Sequence, residues 1–118
     1  MSSLILVCGG RDFRNYKRVK ETLDHLNLYI TIDGVVHGDA DGADRLGGIW
    51  AKHNGIPEIK VPAQWEYYNR AAGIIRNEWM VDLIPLALVV AFPGGNGTDS
   101  MIKMARAADV AVHEVKDE

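Results

Sequence analysis

Two rhythms of apolar and polar residues alternate along this chain. Short continuous apolar runs, Leu4-Ile5-Leu6-Val7-Cys8 first among them, have the length and composition of strands buried on both faces. Between these runs, apolar residues recur three and four apart. Tyr16, Val19, Leu23 and Leu26 form one such stripe, with Lys17, Lys20, Glu21 and Asp24 outside it. Ala43, Leu46, Ile49 and Trp50 form a second, closed by the C-cap signal Asn54-Gly55 with Pro57 beyond. Ala72, Ile75 and Trp79 share one face of a third helix predicted over 70–83 and ended by Pro85. Met101, Ala105 and Ala108 mark a fourth helix, with helical spacing over 99–109. Strands are predicted at 4–8, 35–37, 58–61, 86–92 and 110–115, and a polar and aromatic loop at 64–69. Gly47-Gly48 inside the second helix costs about 1 kcal/mol per glycine relative to alanine, which points to close packing of that helix on the sheet.

Strands and helices that alternate strictly imply a parallel sheet covered by helices on both faces, an α/β sandwich of three layers with right-handed crossovers. The 118 residues suit a single domain over 1–118, with 116–118 as a loose tail. Two strand orders fit. In 2-1-3-4-5 the first strand pairs with the third. In 3-2-1-4-5 the order reverses between the first and fourth strands, whose carboxyl ends then form a crevice. The second order is preferred because it brings Gly9-Gly10 beside Gly94, Gly95 and Gly97.

Composition narrows the function classes. The chain is 47% hydrophobic and 25% charged, ordinary for a globular core, and its formal net charge is -3. That balance argues against bulk attraction to nucleic acid or an anionic membrane. No stretch approaches the roughly 20 apolar residues that cross a bilayer, and no basic segment precedes the first apolar run, so a cytoplasmic location is expected. The single cysteine, Cys8, excludes an intramolecular disulfide and reads as a small core residue.

The chemistry gathers where strands end. Pro93-Gly94-Gly95-Asn96-Gly97-Thr98 follows the apolar run at 86–92 and precedes a helix. Glycines let backbone N–H groups approach an anion, and a helix N-terminus adds partial positive charge, so this is the design of a phosphate site. Seven of the 12 glycines (Gly9, Gly10, Gly38, Gly42, Gly94, Gly95 and Gly97) lie just past a predicted strand end, so the carboxyl edge of the sheet needs room close to its backbone. After the first strand, Gly9-Gly10-Arg11-Asp12-Phe13 offers Arg11 as a two-pronged phosphate or carboxylate ligand. Asp12 reads either as an acceptor for ribose hydroxyls or, like Asn15, as a helix cap.

After the second strand comes His37-Gly38-Asp39-Ala40-Asp41-Gly42-Ala43-Asp44. Its three aspartates leave a Mg²⁺ site open, but a calcium loop fails because the twelfth residue from Asp39 is Trp50. Asp41 is placed as an N-cap, and Asp44 in the first helical turn, where its charge suits the dipole. His37 either contacts a ligand or is spent inside the turn. The third region sets Trp65, Tyr67 and Tyr68 beside Arg70, Arg76 and Asn77. There an aromatic can stack on a base and an arginine hold the attached phosphate. Arg76 and Asn77 read as inward polar contacts or as a solvated face. No nucleophile elbow surrounds Ser100, and no Walker A sequence follows any strand.

Taken in order, Gly9-Gly10-Arg11-Asp12-Phe13, His37-Gly38-Asp39-Ala40-Asp41-Gly42-Ala43-Asp44, Ala72-Gly73-Ile74-Ile75-Arg76-Asn77 and Pro93-Gly94-Gly95-Asn96-Gly97-Thr98 resemble the YspA-type (YspA/YpsA-related) branch of the SLOG superfamily. That superfamily joins the LOG phosphoribohydrolases with the DNA-processing protein DprA. The resemblance covers nearly the whole chain. It implies a Rossmann-like domain for a nucleotide-derived ligand such as an ADP-ribose or NAD-related molecule. LOG hydrolases carry a glutamate three residues after the threonine of the glycine motif, and here that position is Met101. Methionine is neither acid nor base, so hydrolysis by that mechanism is not expected unless another carboxylate such as Asp12 or Asp44 substitutes.

The expected function is therefore binding of a phosphorylated nucleoside derivative for sensing or sequestration. No cofactor is assigned beyond that nucleotide-derived ligand, and Mg²⁺ is left open without support. An N-glycosidase is the alternative. A third reading, single-stranded nucleic-acid binding, rests on the basic cluster Arg11, Arg14, Lys17, Arg18 and Lys20, which an acidic remainder counterbalances. Apolar residues around Trp79 and Ile84 would suit a homo-oligomer.

Overall fold

The computed structural model describes residues 3–68 and 71–116. Asn69 and Arg70, and Asp117 and Glu118 of the expected tail, lie outside the described residues.

The chain folds in the order β1 (Leu4–Cys8), α1 (Tyr16–Tyr29), β2 (Gly34–His37), α2 (Ala43–His53), β3 (Glu58–Lys60), α3 (Trp65–Tyr68), α4 (Ala72–Leu83), β4 (Leu86–Ala91), α5 (Asn96–Ala107) and β5 (Val112–Glu114). The five strands form one parallel sheet in the order β3-β2-β1-β4-β5. This is the preferred order, and its reversal between β1 and β4 opens the crevice at their carboxyl ends. Among the described residues, no helix is long and apolar enough to cross a membrane.

Alternation along β1 builds two cores. Ile5 and Val7 face α1 and α2, where Val19, Leu23 and Trp50 close one layer. Leu6 and Cys8 face α4 and α5, where Met80, Val81, Met101 and Ile102 close the other. The α1 stripe is as expected: Val19 and Leu23 are buried, and Tyr16 and Leu26 pack partly against them. Asn15 caps this helix, its Oδ1 accepting from the Arg18 N–H at 3.0 Å. Gly47 and Gly48 do mark close packing. A Cβ on Gly47 would lie 2.9 Å from Val7, and one on Gly48 would lie 2.9 Å from the His37 ring.

Several boundaries differ from expectation. α5 begins at Asn96 rather than at 99, because Gly95 serves as N-cap and Asn96, Gly97 and Thr98 form the first helical turn. The loop at 64–69 contains the single turn α3, too short to carry a periodic signal. The buried positions of α4 are Ala72, Asn77, Met80 and Val81, whereas Ile75 and Trp79 are half-buried. Ile49 and Ala108 face solvent. Asp41 is not a cap. Gly42 takes that position without a side-chain bond, and Asp41 pairs with Arg45 one turn on.

Candidate functional site

The first and fourth turns are joined by backbone. The Gly10 N–H donates to the Pro93 carbonyl at 2.9 Å, and a Cβ on Gly94 would meet Gly10 N at 2.7 Å. The second turn docks on the first, because the Gly10 carbonyl accepts from the Ala43 N–H at 3.2 Å. Three glycine-bearing turns from distant parts of the chain thus converge at the carboxyl edge.

They surround a cleft of about 390 Å³. Of the expected ligand residues, Gly9, Gly10, Arg11, Asp44, Arg76, Asn77, Gly95, Gly97 and Thr98 line it. Gly38 and Asp39 instead line a neighbouring cavity of about 260 Å³, which Arg11 and Arg76 also border. Asp12, Pro93, Gly94 and Asn96 fall outside both linings, and Asp12 is exposed. His37 is also outside, and both its ring nitrogens are used internally. Its Nδ1 lies 2.9 Å from the Asp39 amide, which can only donate, so Nδ1 accepts. The proton then sits on Nε2 and is donated to Glu58 Oε2 at 2.6 Å.

The second turn is closed by the protein's own charge. Asp44 Oδ2 accepts from the amides of Gly38 at 2.9 Å and Ala40 at 3.3 Å. Two N–H groups that could have held an anion are thereby occupied by a carboxylate. Burial raises the Asp44 carboxyl, against the opposing effects of the Ala40 amide, His37, Arg76 and the Gly38 amide. Asp39, Asp41 and Asp44 do not assemble as ligands, and among the described residues no cluster of three His, Cys, Asp or Glu could hold a metal ion.

The fourth turn is open. The α5 N-cap makes no side-chain bond, and the first three amides of a helix have no carbonyl partner within it. Among the described residues, a Cβ on Gly95 or Gly97 would meet nothing within 4 Å. Gly97 therefore sits inside a helix with no packing reason to be glycine.

α4 supplies the cationic wall. Arg76 points inward, its Nε donating to Asn77 Oδ1 at 2.9 Å and its Nη1 to the Gly38 carbonyl at 2.8 Å. Burial pulls its guanidinium below the usual range; Asp44 opposes this and Arg11 adds to it. Among the described residues the Arg11 guanidinium has no hydrogen-bond or ion-pair partner, so no Arg11–Asp12 pair forms. The α1 part of the basic cluster is partly neutralised by Lys17–Glu21 and Lys20–Asp24 pairs.

Trp65 on α3 is 50% exposed and borders both cavities, whereas Tyr67 and Tyr68 line neither. Tyr68 packs edge-on against Trp79 with ring centroids 5.9 Å apart. The floor of the cleft, Cys8, Met80 and Met101, was not part of the expected site. Its signal was positional: Cys8 is the last residue of β1 on the α4–α5 face. Burial pushes the Cys8 thiol up to about 12, with Asp44 adding to the rise and Arg76 opposing it, so it stays an inert thiol.

The His37–Glu58 bond carries a pH prediction. Burial alone would raise the Glu58 carboxyl, but the hydrogen bond from His37 and the charges of Lys52 and Lys60 outweigh it and hold it below its ordinary value. A depressed carboxyl contributes stability that is present above its unfolded pKa and lost as pH falls through the folded one. Glu58→Gln keeps an acceptor for Nε2–H without that titration. Urea midpoints measured across the acid range are expected to fall less steeply in Glu58→Gln; an unchanged slope would show that the pair contributes nothing to acid sensitivity.

The sequence model of the YspA, cpYpsA-related SLOG family matches residues 4–68. The chain is also similar to the Gene 61 protein of Mycobacterium phage D29, 32% identical over 119 aligned positions that span 92% of each chain. No solved structure matches it. The chain belongs to the YspA, cpYpsA-related SLOG family.

Proposed function

We propose that this SLOG-family chain binds a phosphorylated nucleoside derivative, an ADP-ribose or NAD-related molecule or a nucleoside phosphate, to sense or sequester it. One observation carries the reading: the uncapped first turn of α5, with open space above Gly95 and Gly97, faces a cleft that also holds Arg11 and Arg76. The amides of Asn96, Gly97 and Thr98 receive a phosphate, and the helix dipole favours its charge. The two guanidinium groups neutralise what remains. Trp65 offers an aromatic face to the base. Calorimetry with AMP, ADP-ribose and NAD tests this. Binding is expected, and Gly97→Ala is expected to weaken it about tenfold by placing a methyl group in the anion's approach. The same variant should gain up to about 1 kcal/mol of stability, because alanine is the better helix former. A folded protein that binds none of the three at millimolar ligand overturns the reading.

A second reading, cleavage of the N-glycosidic bond, is favoured by Asp44 alone. Among the described residues it is the one carboxylate lining the cleft, and burial raises its pKa above the ordinary carboxylate value. Met101, 1% exposed on the floor, cannot take such a role. Turnover would show as free base released in the same samples and abolished in Asp44→Asn; intact nucleotide after long incubation removes this reading.

A further inference from the structure

We infer that α4 carries a docking face for a second copy of this chain, the two α4 helices packing antiparallel about a two-fold axis at Trp79.

A surface helix ordinarily turns one apolar stripe to the core and a polar face to solvent. The exposed positions of α1, α2 and α5 are mostly polar, as at Lys17, Glu21, Arg45, Lys52, Lys103 and Arg106. α4 instead has two apolar faces. Met80 and Val81 are buried in the core beneath it. Ile75, Trp79 and Leu83 recur four apart along a second face. Ile75 and Trp79 are half-buried there, and Leu83 is 73% exposed. The single turn α3 reaches this stripe with Tyr68, which lies edge-on against Trp79 and is itself exposed. Of the eight large hydrophobic side chains exposed among the described residues, five belong to α3 and α4: Trp65, Tyr67, Tyr68, Ile74 and Leu83. Their exposed parts come to roughly 600 Å², most of the ~800 Å² that each partner contributes to a standard interface.

The stripe is its own complement. Its three residues are symmetric about Trp79, so a two-fold axis there lays Ile75 of one copy against Leu83 of the other, and Leu83 against Ile75. That reciprocal pairing is what a closed dimer requires. The stripe is about 12 Å long, two helical turns, enough for ridges of one helix to seat in grooves of the other. Glu78 and Asp82 are exposed on one flank of it. Their charge disfavours an anionic membrane as the occupant. The same axis sets the two acidic flanks side by side at the rim, where water and salt screen them.

Sedimentation velocity at concentrations up to about 100 µM tests the inference. A mass twice that of the chain is expected, and raising sodium chloride from about 0.1 to about 0.5 M should leave the dimer intact or tighten it. Leu83→Glu sets a carboxylate against Ile75 of the other copy and is expected to weaken association about tenfold or more. Leu83→Ala, with a smaller shift in the same direction, replaces it if circular dichroism shows the glutamate variant unfolded. Leu28→Glu, at the exposed end of α1, is the control and should leave the dimer unchanged. A wild type that stays monomeric, or a dimer that salt dissociates, overturns the inference. So does a dimer that a folded Leu83 variant leaves untouched, or one that a folded Leu28→Glu abolishes.

Discussion

Trp50→Ala is expected to lower the stability of this domain by about 3–5 kcal/mol, the usual range for emptying a buried aromatic site. The indole is fully buried between α1 and the sheet, in the same core layer as Val19, Leu23 and Val35. Its Nε1–H donates to Asp24 Oδ1 at 2.8 Å, so even its polar atom is matched. Domains of this kind have a total stability of roughly 5–15 kcal/mol, so the variant would stand near the edge of folding. Trp50→Phe separates packing from the hydrogen bond. It keeps most of the volume and frees Asp24, whose carboxylate is already exposed enough to be rehydrated, so the expected loss is about 1 kcal/mol. Urea denaturation followed by circular dichroism gives both numbers without relying on fluorescence, which Trp65 and Trp79 would complicate. A loss under about 1 kcal/mol for Trp50→Ala would mean that this layer is not packed as described.

The same helix shows which parts of the fold were legible beforehand. The spacing of Ala43 and Trp50 and the stop at Asn54-Gly55 follow from burying one stripe and ending a helix, both local matters. The strand order was legible for a different reason: only β3-β2-β1-β4-β5 gathers the first and fourth glycine turns at one crevice. The failures share a cause. Apolar periodicity counts only apolar residues, so it put Ile75 and Trp79 on the inward face of α4 and left Arg76 and Asn77 between an inward contact and a solvated face; they are turned in, toward the cleft. It assigned Asp44 to the helix dipole. The carboxylate also closes the second turn by accepting two amides, a contact that depends on the path of the chain from Gly38 to Ala40. It took Gly97 for a loop residue because glycine is a poor helix former. In the fold, Gly97 is the second residue of α5, and no neighbouring atom accounts for the missing side chain.

The turns thus differ in what they do. In the second, the Gly38 and Ala40 amides are taken up by Asp44, and Arg76 is held against the Gly38 carbonyl. In the fourth, the amides of Asn96, Gly97 and Thr98 have no partner among the described residues, and Gly95, Gly97 and Thr98 line the cleft. On the proposed reading, an anion would find open amides at one helix terminus only, with the first turn held between the two; the Arg11 guanidinium on it has no partner among the described residues. That arrangement depends on the contact at Gly42.

Gly42→Ala is expected to break that contact at a cost of about 3 kcal/mol or more. Gly42 has φ 82° and ψ −131°, a conformation that residues with a Cβ adopt only under strain of about 1–3 kcal/mol. Its Cβ would also lie 2.2 Å from the Gly10 carbonyl oxygen and 2.6 Å from that of Arg11. Both are backbone atoms, so no rotamer change relieves the overlap. Moving the Gly10 carbonyl strains the bonds it accepts from Phe13 and Ala43, each 3.2 Å long, and these hold the first turn on α2. Arg11 would shift with that turn, so ligand binding should weaken together with stability. Gly97→Ala makes the contrast: binding falls there while stability is kept or improved. Denaturation and calorimetry on the two variants side by side separate the roles. If Gly42→Ala proved as stable as the wild type, the first and second turns would not be packed against each other, and the cleft they border would lose its wall.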